Sequence, residues 1–323
     1  MKGEQPTCNS CSYPVQINEH APDYATKREA VNTKEAEIKC PERQEVVDLS
    51  MSELVAAFKT LGIDHWKLPE VAIKFVESYD ADAVLGHVEI HTDGIDVVFD
   101  QRFADPETEA VLVKTLHASG KDYPGMQKTL KHELAHIAMW SITGMERQPA
   151  TRLLDEGWAS LLENTNQELP TKQTKASVRE GLLNEPEQYR RCLDFGKPVT
   201  FEEELNAAEY KVGQALLLWI AEQYGKDKMI ELIKKSPSPE RQSAHSQDSD
   251  VNPAVLDQSV HATFTEYTQL VDNATQGRIT VEEASQQAKK WESKQFQIAL
   301  LEVTGLQNIG QVQERFLHWV DSD

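Results

Sequence analysis

The sequence predicts an α+β protein, with a small sheet near the front of the ordered chain and helices after it. Between residues 71 and 99 the apolar residues come in short strand-like runs, and from Asp105 onward they recur every three or four positions. No internal repeat is found. At 323 residues the chain is long enough for one large domain or two ordinary ones.

Residues 1–48 are polar, charged and aperiodic, and are expected to form a largely disordered tail. Order is expected from residue 49. There Ser50-Met51-Ser52-Glu53 reads as a capping box before Leu54, Ala57, Phe58 and Leu61, and Gly62 stops the helix. Val71–Val76 and Val84–His91 read as strands, and Asp93-Gly94 as a hairpin turn into a third strand, Ile95–Phe99. This gives a small mixed or antiparallel sheet.

The helical part opens with Asp105 as N-cap and Pro106 at the first position, and Gly120 closes that helix. Further helices are expected over Met126–Ile142, Thr151–Glu163 and a region opened by Thr200 that includes Ala207–Tyr224. Ser236–Asn252 is rich in Ser, Pro, Gln and Asp and reads as a linker. Helices are then expected from Pro253 to Gly277, from Val281 (behind a Thr280–Glu283 capping box) to Val303, and through Gln311–Val320.

Composition excludes several functions. A formal net charge of −20 argues against nucleic-acid or anionic-membrane binding, since either needs a cationic face to displace counterions. The densest apolar run, Ala215–Ala221, is far short of the ~18–20 residues of a membrane span. Four cysteines are too few for a disulfide scaffold. Cys8, Cys11 and Cys40 with His20 make a possible structural zinc set, but their spacing fits no compact pattern and free tail thiols are the favoured reading. Met1-Lys2-Gly3-Glu4-Gln5-Pro6 has no apolar segment behind it. No signal peptide is visible, and the cytoplasm is the default location, although a removed leader would leave such a chain.

The strongest chemical signal is His132-Glu133-Leu134-Ala135-His136. Two histidines at i and i+4 lie one helical turn apart on one face, so both imidazoles can reach a single ion. Glu133 is rotated by about 100° from His132, beside the ligands, where its carboxylate can take a proton from water instead of binding metal. Leu130, Leu134, Ile137 and Ser141 form a mostly apolar stripe opposite. A catalytic zinc wants a third protein ligand and one open position, so a ligand from a nearby element is expected. Glu156 in Leu153-Leu154-Asp155-Glu156-Gly157-Trp158-Ala159 supplies one, on a helix joined to the first by a loop through Gly144 and Pro149. Gly157 would let two such antiparallel helices approach closely.

Together these motifs resemble the gluzincin, thermolysin-like zinc metallopeptidases. The stretch Leu153–Glu163 is similar to the W-L-x-E-G-x-A-x-x-x-E segment of such domains, with Leu153 in place of Trp. The resemblance implies a zincin-like fold, one catalytic Zn2+ held by His132, His136 and Glu156, and Glu133 as general base. A looser match, Tyr210–Trp219 followed by Glu222–Met229, implies that Tyr210 faces the zinc and donates a hydrogen bond to the oxyanion. Ala299–Leu306 and Phe316–Trp319 resemble the end of the same domains. Residues 236–290 would then be an insertion in a peptidase domain over 49–323, with a sheet-containing half (49–145), a helical half (146–323) and the active-site cleft between.

Departures from the family narrow the expectation. No G-x-M-E-N precedes the zinc helix, so endopeptidase action is favoured over aminopeptidase action. Ser160 stands where thermolysin-type members carry an Asp that supports a histidine ligand, leaving Asp155, Glu163 or Asp194 as substitutes. His87 and His91 sit on a strand, where four residues span about 13 Å, and cannot share an ion. His65, His117, His245, His261 and His318 have no partners by spacing.

The function expected is hydrolysis of a peptide or protein substrate. The alternative is an inactive gluzincin-like module that binds peptides or acts as a scaffold. A di-iron carboxylate bundle is rejected, because Glu133-x-x-His136 has no second Glu-x-x-His.

Overall fold

The computed structural model describes residues 13–14, 41–64, 66, 68, 71–76, 86–90, 95–118, 125–143, 151–196, 207–236, 269, 273–274 and 276–322. Among these the chain is mostly helical with a small mixed sheet, and is broadly α+β. It divides into two compact units: residues 1–138 with 165–168, and residues 139–164 with 169–323. None of the described helices is long and apolar enough to cross a membrane.

In the first unit the sheet has the order β1 (Tyr13–Pro14), β2 (Val71–Val76), β4 (Ile95–Asp100), β3 (Gly86–Ile90). β2 and β4 run parallel with Val71 opposite Ile95, while β3 returns antiparallel to β4 with Ile90 opposite Ile95. The hairpin expectation therefore holds for the pairing, and its turn, Asp93-Gly94, lies outside the described residues. β4 is flanked on both sides, and its residues 96–100 are all buried. Continuous burial brings two carboxylates inside, and each has a cation. Lys74 pairs with Asp96, and Arg102 Nη2 lies 2.8 Å from Asp100 Oδ2.

Asp100 also accepts the Arg102 backbone N–H at 2.9 Å. Burial pushes its pKa up, but the hydrogen bonds and charge of Arg102 win, and the carboxyl is held below its ordinary value. A depressed carboxylate stabilises the fold above the unfolded-state pKa and loses that contribution as pH falls toward the folded-state pKa. Asp100→Asn is accordingly expected to flatten the fall of stability on acidification below the usual carboxylate range. Denaturant melts at stepped pH read the slope, and an unchanged slope would remove Asp100 from the acid response.

Helix α1 spans Pro41–Leu61, which corrects the expected tail of residues 1–48. The helix starts at a proline, which suits a first helical position because its missing N–H would have no intrahelical partner. Ser50 is thus in the helix interior and not a cap. Its hydroxyl oxygen is 2.8 Å from Val46 O, one turn back, and 3.0 Å from Gln127 O. Tyr13 and Pro14 also pair with Ile73 and Ala72 and belong to the sheet. Val47, Leu54, Ala57, Phe58 and Leu61 of α1 are buried. Cys8, Cys11, His20 and Cys40 lie outside the described residues.

α2 (Pro106–Ala118) begins as expected, with Asp105 Oδ2 accepting the Thr108 N–H at 2.8 Å. α3 (Gly125–Thr143) contributes to both units.

The second unit is helical. α4 (Arg152–Asn164) packs on α7 (Ala207–Gln223), and α5 (Thr171–Asn184), α6 (Pro186–Leu193), α8 (Lys226–Lys235), α9 (Val281–Thr304) and α10 (Ile309–Asp321) complete it. α7 is buried from Val212 through Ala221, so it is the central helix of this unit. Trp219, Phe195, Phe296 and Phe316 cluster around it, with edge-on ring contacts such as Trp219–Phe316 at 5.7 Å. α5 and α6 are helices that apolar spacing does not announce. α5 buries Lys175, whose ammonium lies 4.6 Å from the centre of the Trp319 ring and 3.0 Å from Ser322 Oγ. The expected capping box of α9 is present, with Thr280 Oγ1 accepting the Glu283 N–H and Glu283 Oε2 accepting the Thr280 N–H. Most of the proposed insertion over residues 236–290 lies outside the described residues.

Candidate metal centre

α3 carries the two histidines, and its own neighbours fix which way they face. Leu130, Leu134 and Ile137 are fully buried, as the apolar stripe required. Lys131 is buried too, with its ammonium 3.0 Å from Thr165 O and 3.6 Å from Glu53 of α1. One turn earlier, β3 touches the same helix. A Cβ at Gly86 would lie 2.8 Å from Thr129 Cγ2, so any larger residue would force a neighbouring side chain to shift. At the start of α3, Glu109 Oε1 accepts the Met126 N–H at 2.7 Å, placing a carboxylate where the helix dipole is positive. Arg43, almost fully buried, holds the same carboxylate at 2.7 Å. These contacts anchor the helix and leave the adjacent His132 and His136 on another face.

The rings of His132 and His136 are 4.9 Å apart between centres and inclined at 78°. His136 is buried, while His132 and Glu133 are half-buried. Glu156, half-buried on α4, joins them. One ligand atom from each of His132, His136 and Glu156 lies within 4.8 Å of the others. That spacing is short enough for one cation to reach all three. Glu133 is not part of the group, although it is adjacent to His132 in sequence. A cation here would be met by two neutral nitrogens and one carboxylate oxygen, a borderline donor set that suits zinc better than calcium or magnesium.

Two features of α4 differ from the sequence reading. Gly157 does allow a close helix approach, but to α7: a Cβ there would lie 2.3 Å from the Gly213 carbonyl carbon. The second feature was not foreseen. Arg152, one turn before Glu156, is buried and pairs with Glu209 of α7, with Nη2 2.8 Å from Oε1 and Nε on Oε2. Burial opposes the Arg152 charge, but the Glu209 hydrogen bonds and charge, and the nearby Glu156 and Tyr210, raise its pKa above the ordinary arginine value. Tyr210, half-buried and next to Glu209, thus shares the surroundings of Arg152 with Glu156. Arg152 and Glu209 carry opposite charges in the first turns of α4 and α7, but no local pattern links two residues 57 positions apart.

Of the candidate supports for the histidines, Asp155 is buried and Glu163 half-buried on α4, and Asp194 accepts the Gly196 N–H at 3.2 Å. His87 is exposed on β3, and His91 lies outside the described residues, as do His65, His245 and His261. His117 and His318 are exposed. A shallow recess on α2, lined by Glu109, Val113, Lys114 and His117 among others, shares no residue with the His132/His136/Glu156 group. Comparison with family models, with curated proteins and with solved structures finds no match, and no family is assigned on that ground.

Proposed function

We propose that this protein is a zinc-dependent peptidase of the gluzincin type, acting as an endopeptidase, with His132, His136 and Glu156 as the metal ligands. The observation that supports this reading is the group of two imidazoles and one carboxylate within 4.8 Å of one another, with Glu133 next to His132 in the chain and outside the group. Three protein ligands leave a fourth position, which is the pattern of catalytic and not structural zinc. When bound, zinc supplies Lewis acidity toward a carbonyl and brings the pKa of water toward about 7.

The chain's own residues would do the rest. The Glu133 carboxylate accepts a proton from the attacking water as the new C–O bond forms. It then delivers that proton to the amine nitrogen as the C–N bond breaks. The Tyr210 hydroxyl donates a hydrogen bond to the carbonyl oxygen as negative charge develops there, and removing a donor of this kind costs about 3 kcal/mol.

Metal analysis joined to hydrolysis assays tests the reading. The wild-type protein is expected to hold about one zinc per chain and to cleave members of a broad peptide library. Glu156→Gln keeps the size and helix propensity of the residue but removes its charge. It is expected to weaken zinc binding by more than the roughly 10–100-fold that changes behind the ligands cost. Wild-type protein without zinc affinity would end the proposal. Stoichiometric zinc without cleavage would favour a peptide-binding module.

A further inference from the structure

The buried ion pair between α4 and α7 is not used by the proposed chemistry, yet each partner sits beside a residue that is. Arg152 precedes Glu156 by one helical turn, so the two project from the same face of α4. Glu209 is the residue before Tyr210 on α7. Both nitrogens of the Arg152 fork that face Glu209 are engaged, Nε on Oε2 and Nη2 on Oε1, which fixes the relative orientation of the two side chains as well as their separation. Arg152 is 7% exposed and Glu209 is fully buried, so water does not compete for these hydrogen bonds. The negative charge of Glu156, one turn along the same helix, also favours the Arg152 guanidinium.

We propose that Arg152, gripped by Glu209, is a positioning residue that ties the turn of α4 bearing Glu156 to the turn of α7 bearing Tyr210. The inference rests on the peptidase reading for the role of Tyr210, and on the metal group alone for the role of Glu156. A guanidinium suits this task because its planar fork holds two directions at once, and a lysine ammonium in its place would hold only a point.

The test is a cycle of Arg152→Met, Glu209→Leu and the double variant, with Tyr210→Phe added to each corner. Either single change leaves a buried charge without its partner and is expected to lower the melting temperature. The double change removes both charges and is expected to restore it. Restored stability separates packing from positioning. With the fold intact, the double variant is expected to bind zinc and to keep KM within about threefold, while kcat falls about 30-fold or more. If Arg152 acts through Tyr210, the same double change made in Tyr210→Phe lowers kcat much less, because the tyrosine it serves is already gone. Full kcat in the stable double variant, or equal losses with and without Tyr210, would overturn the proposal.

A second readout does not need turnover. Cobalt(II) bound in place of zinc has a visible spectrum that follows the arrangement of its ligands, and the double variant is expected to shift it relative to wild type. If wild-type protein binds metal but cleaves nothing, the peptidase reading fails by itself. The positioning role of Arg152 toward Glu156 is then judged by cobalt: a shifted spectrum supports it, and an identical one overturns it.

Discussion

Replacing Glu133 by Gln is expected to leave zinc content at the wild-type level while peptide hydrolysis falls about 10²- to 10⁴-fold, the usual worth of a positioned general base. The expectation separates binding from catalysis for a structural reason. The ligand group consists of His132, His136 and Glu156, and Glu133 is outside it although it is next to His132. Glutamine has nearly the same shape and a similar helix propensity, so α3 and its buried contacts are kept. What disappears is the basicity of the carboxylate, since a carboxamide does not take a proton near neutral pH. Three measurements check this: metal content, far-ultraviolet circular dichroism and kcat/KM on a cleavable peptide. Activity within threefold of wild type would rule Glu133 out as the base. Loss of zinc together with activity would show that Glu133 is a ligand, and the reading of the group would have to change.

The paired histidines were legible in the sequence because local geometry alone brings them together. A helix puts i and i+4 on one face whatever surrounds it, and the rings are accordingly neighbours at 4.9 Å. The stripe of Leu130, Leu134 and Ile137 was legible for the same reason, and so were β2, the β3–β4 pairing, the caps of α2 and α9, and the α+β class. Glu156 required more, since its approach depends on tertiary structure, and a motif rather than a period pointed to it.

The sequence reading failed where the local apolar pattern was misleading, absent or silent about a distant partner. Ser50-Met51-Ser52-Glu53 has the letters of a capping box, but burial of Val47 and the hydrogen bond of Ser50 to Val46 O belong to a helix already under way from Pro41. α5 was invisible because its buried side includes Thr174, Lys175 and Gly181 beside the single aliphatic Val178, so no apolar period marks it. Arg152 and Glu209 are 57 positions apart, and nothing in either neighbourhood names the other. Gly157 was read correctly as a point of close approach and assigned the wrong partner, since a missing side chain says that something comes near without saying what.

That partner makes the second large effect. Gly213→Ala is expected to destabilise the helical unit by about 3 kcal/mol or more, at or beyond the upper end of ordinary overpacking. The added Cβ would sit 2.0 Å from Leu153 O and 2.8 Å from Gly157 Cα, and both are backbone atoms that cannot rotate away. Relief requires α4 and α7 to separate. For a unit of this size the expected fall in melting temperature is roughly 6–12 °C. Lys211→Ala, on the exposed side of the same helix, is the control and should stay within about 0.5 kcal/mol of wild type. The consequence reaches the candidate site because Glu156 adjoins Gly157, and Tyr210 lies one turn from Gly213. Helix separation at the glycines therefore displaces both functional candidates and strains the Arg152–Glu209 pair between them. Zinc affinity should fall along with stability, measured at a temperature where Gly213→Ala is still folded. A variant that melts like wild type would mean the two backbones are not in contact at this point, and Glu156 would lose the support that sets its direction.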